Sequence, residues 1–596
     1  MHGYSRKVKW CMMNSQNLLW PPDDTTQNGE EPGDTKNTRE NVSRASDTSD
    51  SPPTLKTRLS KGLTPFWHDR IVEAELILSM ALYYVVGNAN LGTERLFHIN
   101  PLISLPFLLV YAGLCWYRLS FAVALLPLAL PYYPQQKTVF SHYSFSIAEI
   151  ALAICVVIAL AQFLLLRDNW RYRLSWQELR DRLGPFALPI MIFFLAAGIS
   201  VLIANEHQVA LRAFREEVFD PILYVMLAMF CLRTRQDVIR LLLAMLGSGL
   251  IVALLGMAQY FLFRNQLVME SDGIRRVHAM YGSANSIGLF FDYVLPIGLA
   301  LILVKIRTAS GIFGSWWVRI GAIAICVPLL LVLYLSQSLG AWIAIFVAAL
   351  FVIALKFSNR KVVLLSGLVF VIALSAILLV FYKPITAIIF EHHASVAGVG
   401  TLTKRLYLWQ SALRMIHDHV WFGVGMENWL CYYSYNSVCF SPALLNHHYW
   451  ILRDPVTHAL TGLQDEPTLS HPHNIFLHVW VSIGIFGLLA FIAVLVFFYW
   501  LFARILISLR NAKTAYDPYL RWMTVAVGAA MLAALIQGQV DSSFLAQDLS
   551  FCFWMLVTAL LLLRVLTGTP WRGRLKQKHA TSTEDESQQA QAVASQ

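Results

Sequence analysis

The chain has 596 residues, 57% of them apolar and only 14% charged. A soluble domain carries about 25% charge and about 45–50% apolar residues, so a soluble globular enzyme is excluded, as is disorder away from the ends. The 46 Lys and Arg against 36 Asp and Glu leave a net +10, but the excess sits in short loops between apolar blocks, where membrane topology accounts for it without nucleic acid.

Residues 1–68 are polar, without apolar period or a cleavable signal core, and are expected to form a disordered tail. Fourteen apolar blocks follow, at about 71–87, 101–117, 119–133, 145–166, 185–203, 218–232, 237–263, 284–304, 318–335, 339–355, 362–382, 475–501, 522–538 and 545–566. Each is read as one crossing of a hydrocarbon core about 30 Å thick. Pro127, Pro296 and Pro328 interrupt some of them, as spanning helices tolerate. The expected class is an all-α polytopic membrane protein. Residues 69–382 hold helices 1–11, 383–474 form one large loop, 475–566 hold helices 12–14, and 567–596 form a polar tail.

Lys and Arg alternate between loops. One set, from Arg118 and Arg167 through Arg233, Lys305 and Lys356 to Arg521, holds nineteen; the alternating set holds seven. Positive charge marks the cytoplasmic side, so both termini are expected inside and 383–474 outside. Arg212 and Arg215, then Arg264, Arg275 and Arg276, stand against that bias, with Lys404 and Arg405 in the long loop. Two readings are open. These cations pair with neighbours such as Glu216 and Glu217 or with lipid phosphate, or their guanidinium forks hold an anionic ligand on the outer face.

The 383–474 segment is too long for a structureless connector. Its aromatics, among them Trp409, Trp421, Trp429 and Tyr449, suit sugar faces or the membrane interface. Residues 403–418 place apolar groups at 406, 409, 412, 413 and 416, the spacing of an amphipathic helix, which Gly423-Val424-Gly425 then breaks. Ten of the seventeen His fall between His392 and His478. They lack a helical His-x-x-x-His pair and zinc-type Cys/His spacing, so no metal is expected. One His serving as general base is more economical. His473-Asn474 stands at the mouth of the next spanning helix, where Asn474 would help begin that helix; an interfacial His at a helix start is the plainer alternative. Cys431 and Cys439 would pair in an oxidising compartment.

Arg405 with Trp409, Gly423-Val424-Gly425, His473-Asn474-x-x-Leu477 and Gly484-Ile485-Phe486-Gly487-Leu488 together resemble the signature of the bacterial O-antigen ligase and polymerase superfamily. Arg276 with Gly282-x-x-Asn285, and Asp541-Ser542-Ser543-Phe544 before the last helix, are similar to further family segments. The likeness runs from about residue 200 to 566. The chain departs from the pattern at Ser336-Gln337-Ser338, which lacks the usual Arg, and at Val420 and Ala284, where Pro is usual.

The resemblance implies a fold like the C-type glycosyltransferases. It also implies transfer of a saccharide from undecaprenyl diphosphate to an acceptor hydroxyl, on the outer face of a bacterial cytoplasmic membrane, with neither metal nor nucleotide cofactor. The implied partners are a lipid-linked glycan donor, a lipid A core or growing glycan acceptor, and the surrounding lipids. Charge grows on the leaving diphosphate, and fixed arginines stabilise it best where water is excluded. Arg405 is the first candidate for that role, Arg276 the second and Arg212 the third. His473 is the candidate base, giving inversion, with Asn474 orienting it or its loop. A polymerase or a protein-glycosylating enzyme differs only in acceptor. A transporter would be expected to have inverted repeats and polar groups at mid-membrane; the sequence has no obvious repeat, and its polar residues gather at one face.

Overall fold

A computed structural model of the protein describes residues 65–88, 101–139, 143–165, 176–264, 267–269, 275–303, 316–357, 400–434, 449, 451–453, 460–463, 470–511 and 518–571. The chain opens with α1 (Pro65–Val85), α2 (Leu105–Tyr117) and α3 (Leu119–Leu125), then a hairpin of β1 (Lys137–Val139) and β2 (Tyr143–Phe145). Next come α4 (Ile147–Leu165), α5 (Trp176–Leu183), α6 (Ala187–Ile203) and α7 (His207–Phe214). A π turn over Arg215–Phe219 joins α7 to α8 (Asp220–Cys231). In α9 (Arg235–Leu262), Thr234 and Asp237 form a capping box that satisfies the first free N–H groups.

A two-residue ladder of β3 (Val268–Met269) and β4 (Arg275–Arg276) precedes α10 (Ala284–Leu303), α11 (Trp316–Ser336) and α12 (Leu339–Phe357). The long loop supplies α13 (Gly400–Asp418), α14 (Trp429–Tyr433) and a second hairpin, β5 (Ile451–Arg453) with β6 (Leu460–Leu463). The amphipathic spacing of 403–418 is thus helical. The chain closes with α15 (Ile475–Asn511), α16 (Pro518–Gln537) and α17 (Gln547–Leu566).

Among the described residues nine helices are long and apolar enough to cross a membrane, or ten if α2 and α3 with its extension form one broken span. The expected fourteen are not found there. The blocks at 101–117 and 119–133 bend by 115° at Arg118, and Pro127 and Pro131 turn the second into a 3₁₀ run. Block 218–232 supplies the 12 residues of α8, about 18 Å of helix against about 30 Å of hydrocarbon. Helix α1 carries Asp69, Arg70, Glu73 and Glu75 in its first half. Block 362–382 lies outside the described residues, as do the tails 1–64 and 572–596.

Helices α10 and α17 run through the middle of the bundle: 78% and 83% of their apolar windows are buried, against 28% in α11 and α12. A helix that is apolar all round must be buried or face lipid, and both cases occur here. Leu164, Leu202 and Leu262 lie on the surface, each more than 70% exposed, an apolar exterior suited to hydrocarbon. Inside, α10 packs on α16, α11 and α12, and α15 packs on α6.

The loops segregate to two ends. At one end Gln136 reaches Glu216, Glu206 meets Asn428, Val277 meets Leu335, and Asn474 meets Gln539. At the other end arginines bind carbonyls: Arg182 to Met229, Arg504 to Trp571, Arg521 to Leu355 and Arg564 to Asp181.

Candidate functional site

The site is built where the start of α15 meets the α16–α17 loop. Asn474 caps α15: its Oδ1 accepts from the Phe476 and Leu477 N–H groups at 3.0 and 3.1 Å, and its Nδ2 donates to the Gln539 carbonyl at 3.0 Å. Such a cap contributes about 1 kcal/mol. Asn474 therefore fixes the helix start and the loop.

His473 stands just before it at φ 50, a left-handed backbone that costs a non-glycine residue about 1–2 kcal/mol. The Trp409 indole donates to its carbonyl at 3.3 Å, and its own N–H donates to Nδ1 of His471 at 3.3 Å. So held, Nδ1 of His473 lies 2.7 Å from Oδ1 of Asp541. That oxygen also accepts from the Ser542 N–H at 2.9 Å. With the carboxylate fixing the proton on Nδ1, Nε2 is left as the basic nitrogen.

The surroundings set the charges. Burial works to raise the Asp541 pKa, but the His473 bond and the nearby His471 and Arg405 hold it down at about 2. Burial, with His473 and Arg405 alongside, pushes His471 down to about 3. His471 is thus neutral, and because its Nδ1 accepts a hydrogen bond its proton sits on Nε2. The His471 and His473 rings meet edge to face, 4.3 Å between centroids. Behind them the buried His478 shares a 2.5 Å hydrogen bond with the Ser542 hydroxyl.

Arg405 lies on α13 one turn before Trp409, half-buried. Burial lowers its pKa while the Asp541 charge supports it. The structure thus brings Arg405, His473 and Asp541 into one electrostatic group, from elements that are far apart in sequence.

Arg276 and Arg212 keep other company. Arg276 donates Nε to the Ser336 carbonyl at 2.7 Å and Nη2 to Asn285 Oδ1 at 2.6 Å, joining the start of α10 to the end of α11. Arg212 is exposed on α7 and faces Glu216, Glu217 and Glu427.

The glycine motifs meet. Gly484 breaks α15 at φ 83, and a Cβ there would strike the Trp421 carbonyl and the Phe422 backbone. Across the break the Val424 N–H donates to the Val481 carbonyl at 2.7 Å, and the Ile485 N–H donates to Val420 at 3.0 Å. The turn after α13 is thereby locked to the helix that carries His473 at its start. The four non-glycine residues at positive φ among the described residues are Ala279, Gln337, Glu427 and His473. All four lie in loops at this end of the bundle.

His471, His473 and Asp541 could bring three metal ligand atoms within 4.8 Å of one another. Nδ1 of His473 and Oδ1 of Asp541 are already bonded to each other, and Arg405 adds positive charge against a cation. The arrangement is a hydrogen-bonded imidazole–carboxylate pair. Cys431 is disulfide-bonded, and Cys439 lies outside the described residues.

Sequence reasoning singled out His473, Arg405 and Trp409 but missed the roles of Asp541, His471 and His478. Asp541 is 68 residues from His473, and its only sequence signal was its place in a motif before the last helix. Residues 324–492 match the O-antigen ligase family; the match includes Arg405, Trp409, His473 and Gly484, and ends before Asp541. Among curated proteins nothing matches the chain.

Proposed function

We propose, from the match of residues 324–492 to the O-antigen ligase family, that this chain transfers a saccharide from undecaprenyl diphosphate to an acceptor hydroxyl. The observation that carries the reading is the His473–Asp541 pair at 2.7 Å beside Arg405. Nε2 of His473 takes the proton of the acceptor hydroxyl. The oxygen attacks the anomeric carbon from the face opposite the diphosphate, so the configuration inverts. The glycosidic bond to the diphosphate breaks, and Arg405 stabilises the charge that grows on the leaving group. Asp541 holds the imidazole in the required tautomer and stabilises the imidazolium that forms. Asn474 positions the loop. Arg276, which ties the start of α10 to the end of α11, is the second candidate for the diphosphate. Arg212, surrounded by carboxylates, is the weakest of the three arginine candidates.

Read by the positive-inside rule, the arginine-rich end is the cytoplasmic one, and the proposed site then opens on the outer face of the cytoplasmic membrane. The disulfide at Cys431 suits an oxidising compartment there. A ligase and a polymerase differ in what brings the hydroxyl to His473.

In a strain lacking this chain, His473→Ala should restore no glycan transfer while lipid-linked donor accumulates and still binds the purified variant. A positioned base contributes about 10²–10⁴-fold, so near-normal product from this variant ends the base assignment.

A further inference from the structure

Five side chains close into a ring behind the proposed base. His478 lies in the first turn of α15, where its N–H donates to the Asn474 carbonyl at 2.8 Å, and it is 2% exposed. An imidazole buried this far needs its polar atoms met. Its Nδ1 shares a 2.5 Å hydrogen bond with the Ser542 hydroxyl. The Ser542 N–H donates at 2.9 Å to Oδ1 of Asp541, the same oxygen that lies 2.7 Å from Nδ1 of His473. The His473 N–H donates in turn to Nδ1 of His471 at 3.3 Å, and those two rings meet edge to face at 4.3 Å. The His471 ring then stacks on that of His478, with 5.3 Å between centroids and 28° between planes. The circuit runs from His478 through Ser542, Asp541, His473 and His471 back to His478.

Each member of the circuit is held from two sides. His471 and His473 precede α15, whereas Asp541 and Ser542 follow α16, so the bond from His478 to Ser542, across 64 residues of chain, ties one loop to the other. The backbone after Asp541 has further anchors. The Tyr293 hydroxyl donates to the Ser543 carbonyl at 2.6 Å, and the Ser543 hydroxyl donates to the Ala534 carbonyl at 2.7 Å. Neither of those bonds involves an imidazole. His478 touches both halves of the pair's support: Ser542 beside the carboxylate and His471 beside the base. A catalytic group must be held within about 0.5 Å of its productive position by neighbours that are themselves fixed, and a closed circuit supplies that.

We propose that His478 is a positioning residue for the transfer, fixing the His473–Asp541 pair through Ser542 on one side and the His471 ring on the other. It touches neither donor nor acceptor. The inference deepens the transferase reading and rests on it. Its two contacts do different work. The Nδ1 bond sets where the Asp541 carboxylate stands, by way of the Ser542 backbone, and the ring face sets where His471 stands. The carboxylate is the contact that the proton transfer depends on, so the bond carries more of the effect than the stack. Two substitutions separate them: asparagine keeps a polar atom near the place of Nδ1 without the ring, and phenylalanine keeps a ring without the polar atom.

The test measures initial rates of transfer by the full chain in nanodiscs, from the lipid-linked glycan extracted from a strain lacking this chain to the acceptor-bearing lipid fraction of that strain. His478→Phe should lower kcat about tenfold with both KM values unchanged, the order expected for losing one buried hydrogen bond. His478→Asn should recover most of that loss. Ser542→Ala removes the other partner of the same bond and should match His478→Phe. The double variant should fall no further, because the two residues act through one contact. Ser542→Ala is a small truncation and carries the test if the phenylalanine variant fails to fold. Wild-type kcat in the single variants, or effects that multiply in the double variant, overturn the assignment. So does an asparagine variant as slow as the phenylalanine one, or a KM that rises while kcat holds, which would put His478 against substrate. A wild-type chain that performs no transfer sinks the transferase reading and this inference with it, whereas an active wild type with indifferent variants sinks the role of His478 alone.

Discussion

His473 and Glu427 share a strained backbone, at φ 50 and φ 52, but they differ in how their side chains end. Around His473 the polar groups have protein partners: Asp541 on Nδ1, Trp409 on the carbonyl, His471 on the N–H. One nitrogen, Nε2, is left to act. Glu427 instead stands exposed on its strained backbone, and burial raises the pKa of Glu217. Preorganisation of a base requires that its other contacts be complete. An exposed carboxyl needs no such completion, because water satisfies it.

The largest effect tests the first half of that contrast. Asp541→Asn should cut transfer by about 10²-fold or more, because an amide can present its NH₂ to the ring and favour the wrong tautomer. Donor affinity should hold, since Arg405 is untouched. A wild-type rate in this variant would mean that the 2.7 Å contact is incidental. Gly484→Ala comes next. The added Cβ meets the backbone of Trp421 and Phe422 at φ 83, so stability should fall by about 1–3 kcal/mol, read as a lower unfolding midpoint, together with a slower rate as the turn and α15 part. Trp409→Phe is milder. It removes one 3.3 Å bond to the His473 carbonyl, about 0.5–1.5 kcal/mol. It should lower kcat several-fold with KM unchanged; a change in KM alone would place Trp409 against substrate.

Local features of this architecture were legible in the sequence. The spacing of 403–418 marked a helix and put Arg405 one turn from Trp409, and the residue after Pro472 in a His-Asn pair marked a helix start. Apolar block length could not register the 115° bend at Arg118, because a charged residue between two apolar runs reads equally as a loop between spans or a corner within one. Outward-placed arginines suggested an anion, yet Arg212 has carboxyls around it that sequence could not place, since Glu427 is more than two hundred residues distant. The Asp541–His473 pair was hidden for the same reason: a contact between loops at opposite ends of two helices has no period to betray it.

Acidification offers the finest test, because the two regions respond with opposite sign. His471 is held at about 3 in the folded chain and titrates near 6.5 when unfolded. Its contribution to stability is complete above about pH 6.5 and is lost as pH falls toward 3. Glu217 is raised when folded, so the folded state binds its proton first. Its contribution is complete below the ordinary glutamate pKa and is lost as pH rises through the raised value. Asp541, at about 2, keeps its charge above pH 5 in both states and drops out. Between pH 7 and pH 5, His471→Gln should therefore lose less of its unfolding midpoint than the wild type, and Glu217→Gln should lose more. Two variants that track the wild type across that interval would show that neither group is held away from its ordinary titration, and the contrast between the regions would not stand.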